Sequence, residues 1–223
     1  MPFKDREEAG RRLATALAHL KTERPVVLAL VRGGLIVAAE IARELEAPLD
    51  IVLVRKIGVP FQPELAMGAV VDGDKPVIVR NDDVIRHTRM GEAEFDEVAA
   101  RELKEIDRRR KTYLGGRDRI DVKGRTVILA DDGIATGATT RAALRSVRAQ
   151  GARKLVLAVP VAPSDVLREM ARDADDIVCL EDYIDFGGIG AFYRNFHQVG
   201  DGEVQAILDR FLPAHPSSHT SGE

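Results

Sequence analysis

The sequence predicts an α/β protein: a doubly wound, mainly parallel sheet with a helical arm inserted in its middle. Three observations carry that prediction. Short apolar runs at 26–31, 49–54, 126–130, 154–161 and 177–180 have the length and composition of strands covered on both faces. Segments with helical periodicity lie between them, so strands and helices alternate. The strand–Gly–helix–strand order of residues 26–54 reads as a βαβ unit, which builds parallel sheets.

The elements follow in order. A helix is predicted over 5–20, with Leu13, Ala16, Leu17 and Leu20 on one face. Pro25 ends it, and strand 26–31 follows. Gly33 and Gly34 turn the chain into helix 35–45, and Pro48 separates that helix from strand 49–54. Residues 57–73 carry Pro60, Pro63, Gly68 and an Asp72-Gly73-Asp74 turn, which predict a loop passing into a hairpin-like stretch. A short strand at 77–79 comes next. A long charged helix is predicted over 90–113, with Phe95, Val98, Leu103 and Ile106 as its sparse apolar stripe. Its basic end, 108–111, follows an acidic first half. It reads as compensation of the helix dipole rather than as a nucleic-acid patch.

Gly124 restarts the α/β pattern with strand 126–130, helix 137–150 and strand 154–161. Helix 164–171 follows with Ser164 as its N-cap, then strand 177–180. A segment rich in glycine and aromatics, 185–196, precedes a last helix at 201–212. The Pro-, Ser- and His-rich tail 213–223 is expected to be disordered. Residues 1–212 thus read as one domain, with the arm inserted at 82–119.

Bulk properties narrow the function. With 33 basic and 36 acidic side chains the chain carries a formal charge of −3, which argues against a protein that coats nucleic acid. No apolar run approaches the roughly 18 residues of a membrane span, and 1–10 lacks an apolar signal core. A soluble cytoplasmic protein is expected. Cys179 is the single cysteine, so no internal disulfide forms; in the apolar run Ile177-Val178-Cys179-Leu180 it reads as a structural thiol.

The chemistry concentrates in residues 127–140, VILADDGIATGATT. An apolar strand ends on Asp131 and Asp132, at the sheet edge where open α/β folds bind ligands. Gly133, Ile134, Ala135, Thr136, Gly137, Ala138 and Thr139 then lead into a helix. Small residues let backbone N–H groups converge, and the helix N-terminus adds partial positive charge, so the loop suits a phosphate. The two acids would repel a bare phosphate, but they suit sugar hydroxyls, directly or through Mg²⁺ and water. A Walker A loop and a Gly-x-Gly-x-x-Gly fingerprint are both absent.

An apolar strand, two acids, two variable residues and a small residue before Thr-Gly-x-Thr resemble the signature of type I phosphoribosyltransferases. The chain from 3 to 212 looks similar to a bacterial group of phosphoribosyltransferase-like proteins, through its RGG, RKIG-x-P-x-x-PELA-x-GAV and DDG-x-ATG elements. That resemblance implies a donor, phosphoribosyl pyrophosphate, with its ribose 5-phosphate on residues 133–139. Asp131 and Asp132 would act as ionised carboxylates on the ribose and on Mg²⁺, the metal being held mainly through ligand and water. A second loop, Arg32-Gly33-Gly34, would take the pyrophosphate, beside a non-proline cis peptide. Arg55 and Lys56 would open a mobile loop over the reacting centre, with 58–68 as its body.

The resemblance further implies a small hood over the sugar. Residues 185–200 are its second segment, and Phe186, Phe192 and Tyr193 are candidates for stacking on the acceptor. Some relatives that use 6-oxopurines carry an acid where this chain has Ala135, so those bases are disfavoured. The implied activity is transfer of 5-phosphoribosyl to a nitrogen nucleophile by a homodimer. The alternative is a regulatory protein that binds phosphoribosyl pyrophosphate without transferring it.

Overall fold

Four buried strands and one half-buried edge strand build the central sheet of the computed structural model. It describes residues 3–73, 76–115, 117–184 and 187–211, with only the backbone at 63 and 64. Strands β1 (Val26–Leu30), β2 (Leu49–Val52), β6 (Thr126–Ala130), β7 (Lys154–Pro163) and β8 (Asp176–Tyr183) lie in the order β2-β1-β6-β7-β8, every pair parallel. The expected sheet is therefore present. Its three inner strands are apolar on both faces because helices cover both sides.

Helix α1 (Arg6–Ala16) is shorter than the periodicity suggests. Asp5 caps it by accepting from Glu8 N at 2.9 Å. The chain then tightens into a 3₁₀ turn at Ala18–Glu23. That keeps Leu17 and Leu20 buried and leaves Ala16 exposed. Helices α2 (Gly34–Leu45), α5 (Ala138–Ala149) and α7 (Asp201–Phe211) fall where expected. Helix α6 (Ser164–Met170) begins without a side-chain cap. Pro163 occupies the N-cap, and the Ser164 hydroxyl donates instead to Asp182 at 2.6 Å.

The largest departure is the stretch after β2. At Leu53 the chain leaves the central sheet and forms a second, antiparallel one from β3 (Val54–Val59), β4 (Gln62–Val71) and β5 (Val77–Arg80). Most of what reads as a loop over 57–68 is thus a hairpin. Its prolines sit at or beside the tip, and the register slips at Gly58. Ile57, Val59, Met67 and Val70 are buried, which makes the hairpin part of the core. Gly68 sits where a Cβ would overlap the carbonyl of Val79, so here glycine marks close strand approach rather than a loop.

The arm consists of α3 (Asp82–Thr88) and α4 (Glu92–Leu114). Phe95, Val98 and Ile106 are buried as the apolar stripe requires, and α4 packs against β3 and α7. Arg108 and Arg109 of its basic end both donate to Glu105, as a solvated helix face would have it.

Candidate active site

Strands β1 and β6 pair in parallel, with Ala29 opposite Ala130. The chain leaves β1 towards one edge of the sheet and β6 towards the other, so this pair is the topological switch point. The loops that follow them therefore emerge side by side at the carboxyl edge. They touch. A Cβ on Gly33 would overlap the Asp132 carboxylate, and one on Gly34 would lie 2.8 Å from Asp131 Cα. Glycine at both positions is what lets Arg32-Gly33-Gly34 dock on the two acids. The Val31–Arg32 peptide is cis.

The two acids have different surroundings. Asp132 is buried, and its Oδ2 accepts from Arg6 Nε at 2.7 Å. Its backbone carbonyl accepts from the Tyr193 hydroxyl at 2.6 Å. Asp131 is partly exposed, and its Oδ1 accepts from Asp132 N at 2.8 Å. Burial, followed by the charge of Asp132, holds the Asp131 carboxyl well above the usual carboxylate range. Asp131 thus departs from the ionised carboxylate that the resemblance implies.

Past the acids, Gly133 and Ile134 turn inward; Ile134 is buried and its N–H donates to Val161 O at 3.0 Å. Ile134 therefore anchors the loop. Ala135, Thr136 and Ala138 are exposed. Among the described residues no backbone acceptor takes the amides of Ala135, Thr136 or Gly137. Gly137 is the N-cap of α5 at φ +73°, and a Cβ there would press on Val166 and Met170. Amides left without a backbone acceptor at a helix N-terminus have the geometry that suits an anion.

The predicted cations lie in two places. Arg32 is partly exposed and faces Asp201 at 3.6 Å. Asp201 is also the acceptor of the Tyr113 hydroxyl at 2.6 Å, which holds it below the usual carboxylate range, while burial and this bond push Tyr113 up to about 12. Arg55 and Lys56 start the β3 strand instead of a mobile loop. Arg55 Nε donates to Glu102 of α4 at 2.8 Å. Arg55, Lys56 and Glu102 line a cavity of about 370 Å³ together with Thr139 of the loop after the two acids. Lys56 also lines a larger cavity, about 560 Å³, bounded by β4, β5, α3 and α5.

Of the three aromatics expected near the acceptor, the structure bears against Tyr193. Tyr193 is buried against Phe3 and commits its hydroxyl to Asp132, so it offers no open face for a ring. Phe192 packs on Tyr183 at 4.6 Å between ring centroids. Phe186 lies outside the described residues, as does the tail 213–223. What the hood does instead is tie the N-terminal segment to the site: Phe3 N donates to Phe192 O and Arg194 N to Phe3 O. Burial pushes the Cys179 thiol up to about 11, which disfavours the reactive thiolate.

Among the described residues no group of three or more His, Cys, Asp or Glu side chains could hold a metal ion by itself. Two carboxylates, one already bound to Arg6, do fit Mg²⁺ that keeps most of its shell as water and ligand oxygens.

Sequence reasoning missed Arg6, Glu102 and Asp201. For Arg6 a signal exists: it shares the helix face of Ala9, Leu13 and Leu17, where an arginine is out of place unless paired. Nothing local distinguishes Glu102 or Asp201 from other acids on charged helices.

Comparison with known proteins bears on the family and the fold. Residues 4–196 match the phosphoribosyl transferase domain family. Proteins from two strains of Mycobacterium tuberculosis, CDC 1551 / Oshkosh and ATCC 25618 / H37Rv, both named "Putative phosphoribosyl transferase", are 51% identical over 208 residues. The match covers 93% of this chain and 46% of theirs, so the chain spans about half the length of these curated relatives. The crystal structure of TT1426 from Thermus thermophilus is 42% identical, with a TM-score of 0.82 over 96% of this chain and 100% of that one. The match across most of the chain, and the two loops that meet at the switch point, place this protein in the phosphoribosyl transferase domain family.

Proposed function

We propose that this protein transfers a 5-phosphoribosyl group from phosphoribosyl pyrophosphate to a nitrogen nucleophile and releases pyrophosphate. One observation carries the reading: Gly33 and Gly34 seat one loop directly on Asp131 and Asp132, beside a helix N-terminus with unsatisfied amides. A single ligand with a phosphate, a diol and a pyrophosphate satisfies all three.

In this reading the amides of 135–139 hold the 5-phosphate and orient the sugar. Asp131 accepts from a ribose hydroxyl; Asp132, held by Arg6 and Tyr193, keeps a fixed position beside it. When C1 of the ribose parts from the pyrophosphate oxygen, both electrons of that bond leave with the oxygen. Positive charge develops on the sugar, and the two acids face it. Arg32 on one loop, with Arg55 and Lys56 on the hairpin, faces the negative charge of the phosphates. The nitrogen lone pair forms the new bond to C1 and its proton passes to solvent, so no protein nucleophile is required. Mg²⁺, when bound with the donor, would neutralise the departing pyrophosphate. Ala135 offers no acid to a base nitrogen, which directs the search away from 6-oxopurines.

The test is pyrophosphate release from the donor with Mg²⁺ across adenine, orotate, uracil, small amides and ammonia, with hypoxanthine and guanine included. Release with one acceptor, abolished by Asp131→Asn with Asp132→Asn, is expected. Wild-type turnover in that double variant overturns the assignment. Tight donor binding with no release throughout favours the regulatory alternative.

A further inference from the structure

The arm has no part in the function above, yet it reaches the site's cations. Glu102 is a buried acid in the middle of α4, and its Oε2 accepts from Arg55 Nε at 2.8 Å. Its other oxygen faces Arg101 Nε at 3.6 Å. Arg55 sits at the start of β3, and the cavity it shares with Glu102 also contains Lys56 and Thr139. The far end of the same helix reaches the other predicted cation: Tyr113 donates to Asp201, which faces Arg32.

We propose that α4 is a positioning element for the site, with Glu102 as the residue that sets Arg55 towards the phosphates of the donor. The inference rests on the donor assigned above. A guanidinium has five N–H donors in a rigid fork. Glu102 takes the Nε edge, and among the described residues no hydrogen bond engages the Nη groups of Arg55. The carboxylate therefore fixes the plane of the fork and leaves its outer edge open to the cavity. An unheld arginine would lose rotamer freedom when it met an anion, and that loss would weaken binding. Here the loss is met on folding. Glu102 touches no ligand in this scheme; it acts through Arg55 alone.

Two effects of Glu102 oppose each other. Its negative charge weakens the pull of Arg55 on any anion, and its hydrogen bond orients Arg55. The sign of a substitution shows which prevails. Orientation prevailing means that Glu102→Ala weakens donor binding about tenfold, the scale of one hydrogen bond to a charged group. Glu102→Gln, which keeps an acceptor for Nε, recovers most of that loss. Arg55→Lys keeps the charge but lacks the fork, so it behaves like Arg55→Ala. In the Arg55→Ala background Glu102→Ala adds nothing further.

The experiment is calorimetric binding of phosphoribosyl pyrophosphate with Mg²⁺ to the wild-type chain and these five variants. Tighter binding by Glu102→Ala, additive losses in the double variant, or wild-type affinity in Arg55→Lys each overturns the proposal. The last comparison stands even if Glu102→Ala fails to fold. Wild-type chain that does not bind the donor overturns the donor assignment itself, and this inference with it. Those failures are told apart by the wild-type measurement alone.

Discussion

Replacing Arg6 by methionine isolates the contact that holds the acidic pair in place. The Arg6 and Asp132 side chains are 6% and 11% exposed and meet at 2.7 Å, so solvent screens them little. Arg6 Nη1 also donates to the carbonyl of His197 at 2.9 Å, and its guanidinium carbon lies 3.8 Å from the Phe196 ring centroid. Methionine fills much of the volume but leaves Asp132 charged, buried and unpaired. Breaking one side of a buried pair costs about 3–5 kcal/mol. The lost stacking adds about 1 kcal/mol, and part of the carbonyl's penalty is already contained in the first figure. A loss of about 4–6 kcal/mol is a large share of the roughly 5–15 kcal/mol that stabilises a domain. At about 2–4 °C per kcal/mol for a chain of this size, Tm falls by about 8–24 °C. Urea denaturation followed by circular dichroism measures it. Combining Arg6→Met with Asp132→Asn removes both charges and restores most of the loss. A loss under about 1 kcal/mol in the single variant would refute the buried-pair reasoning, because it would mean that water reaches Asp132 freely.

Three further perturbations test the same region. Asp131 is held above the range of an unfolded aspartate, so between about pH 4 and its raised value the folded state binds a proton that the unfolded chain releases. Its contribution to stability is complete below about pH 4 and is lost as the pH rises through the folded value; Asp131→Asn therefore gains on wild type between pH 5 and pH 8 in urea melts, and a constant gap contradicts the burial argument. Gly33→Ala forces a methyl into the Asp132 carboxylate beside Arg6, which costs about 1–3 kcal/mol and separates the two loops; donor affinity measured by calorimetry drops with it, and unchanged affinity excludes the close packing as a requirement. Tyr193→Phe leaves the buried carbonyl of Asp132 without its donor, for about 1–3 kcal/mol of stability. Acceptor preference in the pyrophosphate assay stays the same, whereas a changed preference would return Tyr193 to the acceptor pocket.

The sequence alone determined the features that are local in the chain. A strand run, two acids and a small-residue turn encode the loop proposed to hold phosphate, because backbone amides, helix dipole and neighbouring carboxylates all lie within fourteen residues, 127–140. The same holds for Arg32-Gly33-Gly34 and for the parallel sheet, whose strands announce themselves as continuous apolar runs. Tertiary structure decided what depends on distant partners. Arg6 and Asp132 are 126 residues apart, and Arg55 and Glu102 are 47 apart. A charged side chain looks the same in sequence whether water or a buried ion receives it, so pairing becomes visible only when packing excludes water. The hairpin at 54–71 was legible only in part, as a hairpin-like stretch after a loop, for a related reason. Proline and glycine mark both loops and hairpin tips, and only the burial of Ile57, Val59, Met67 and Val70 tells them apart. Tyr193 shows the limit most directly: an aromatic suited to stacking on a ligand became a hydrogen-bond donor to the site's backbone, because the N-terminal segment closed over it.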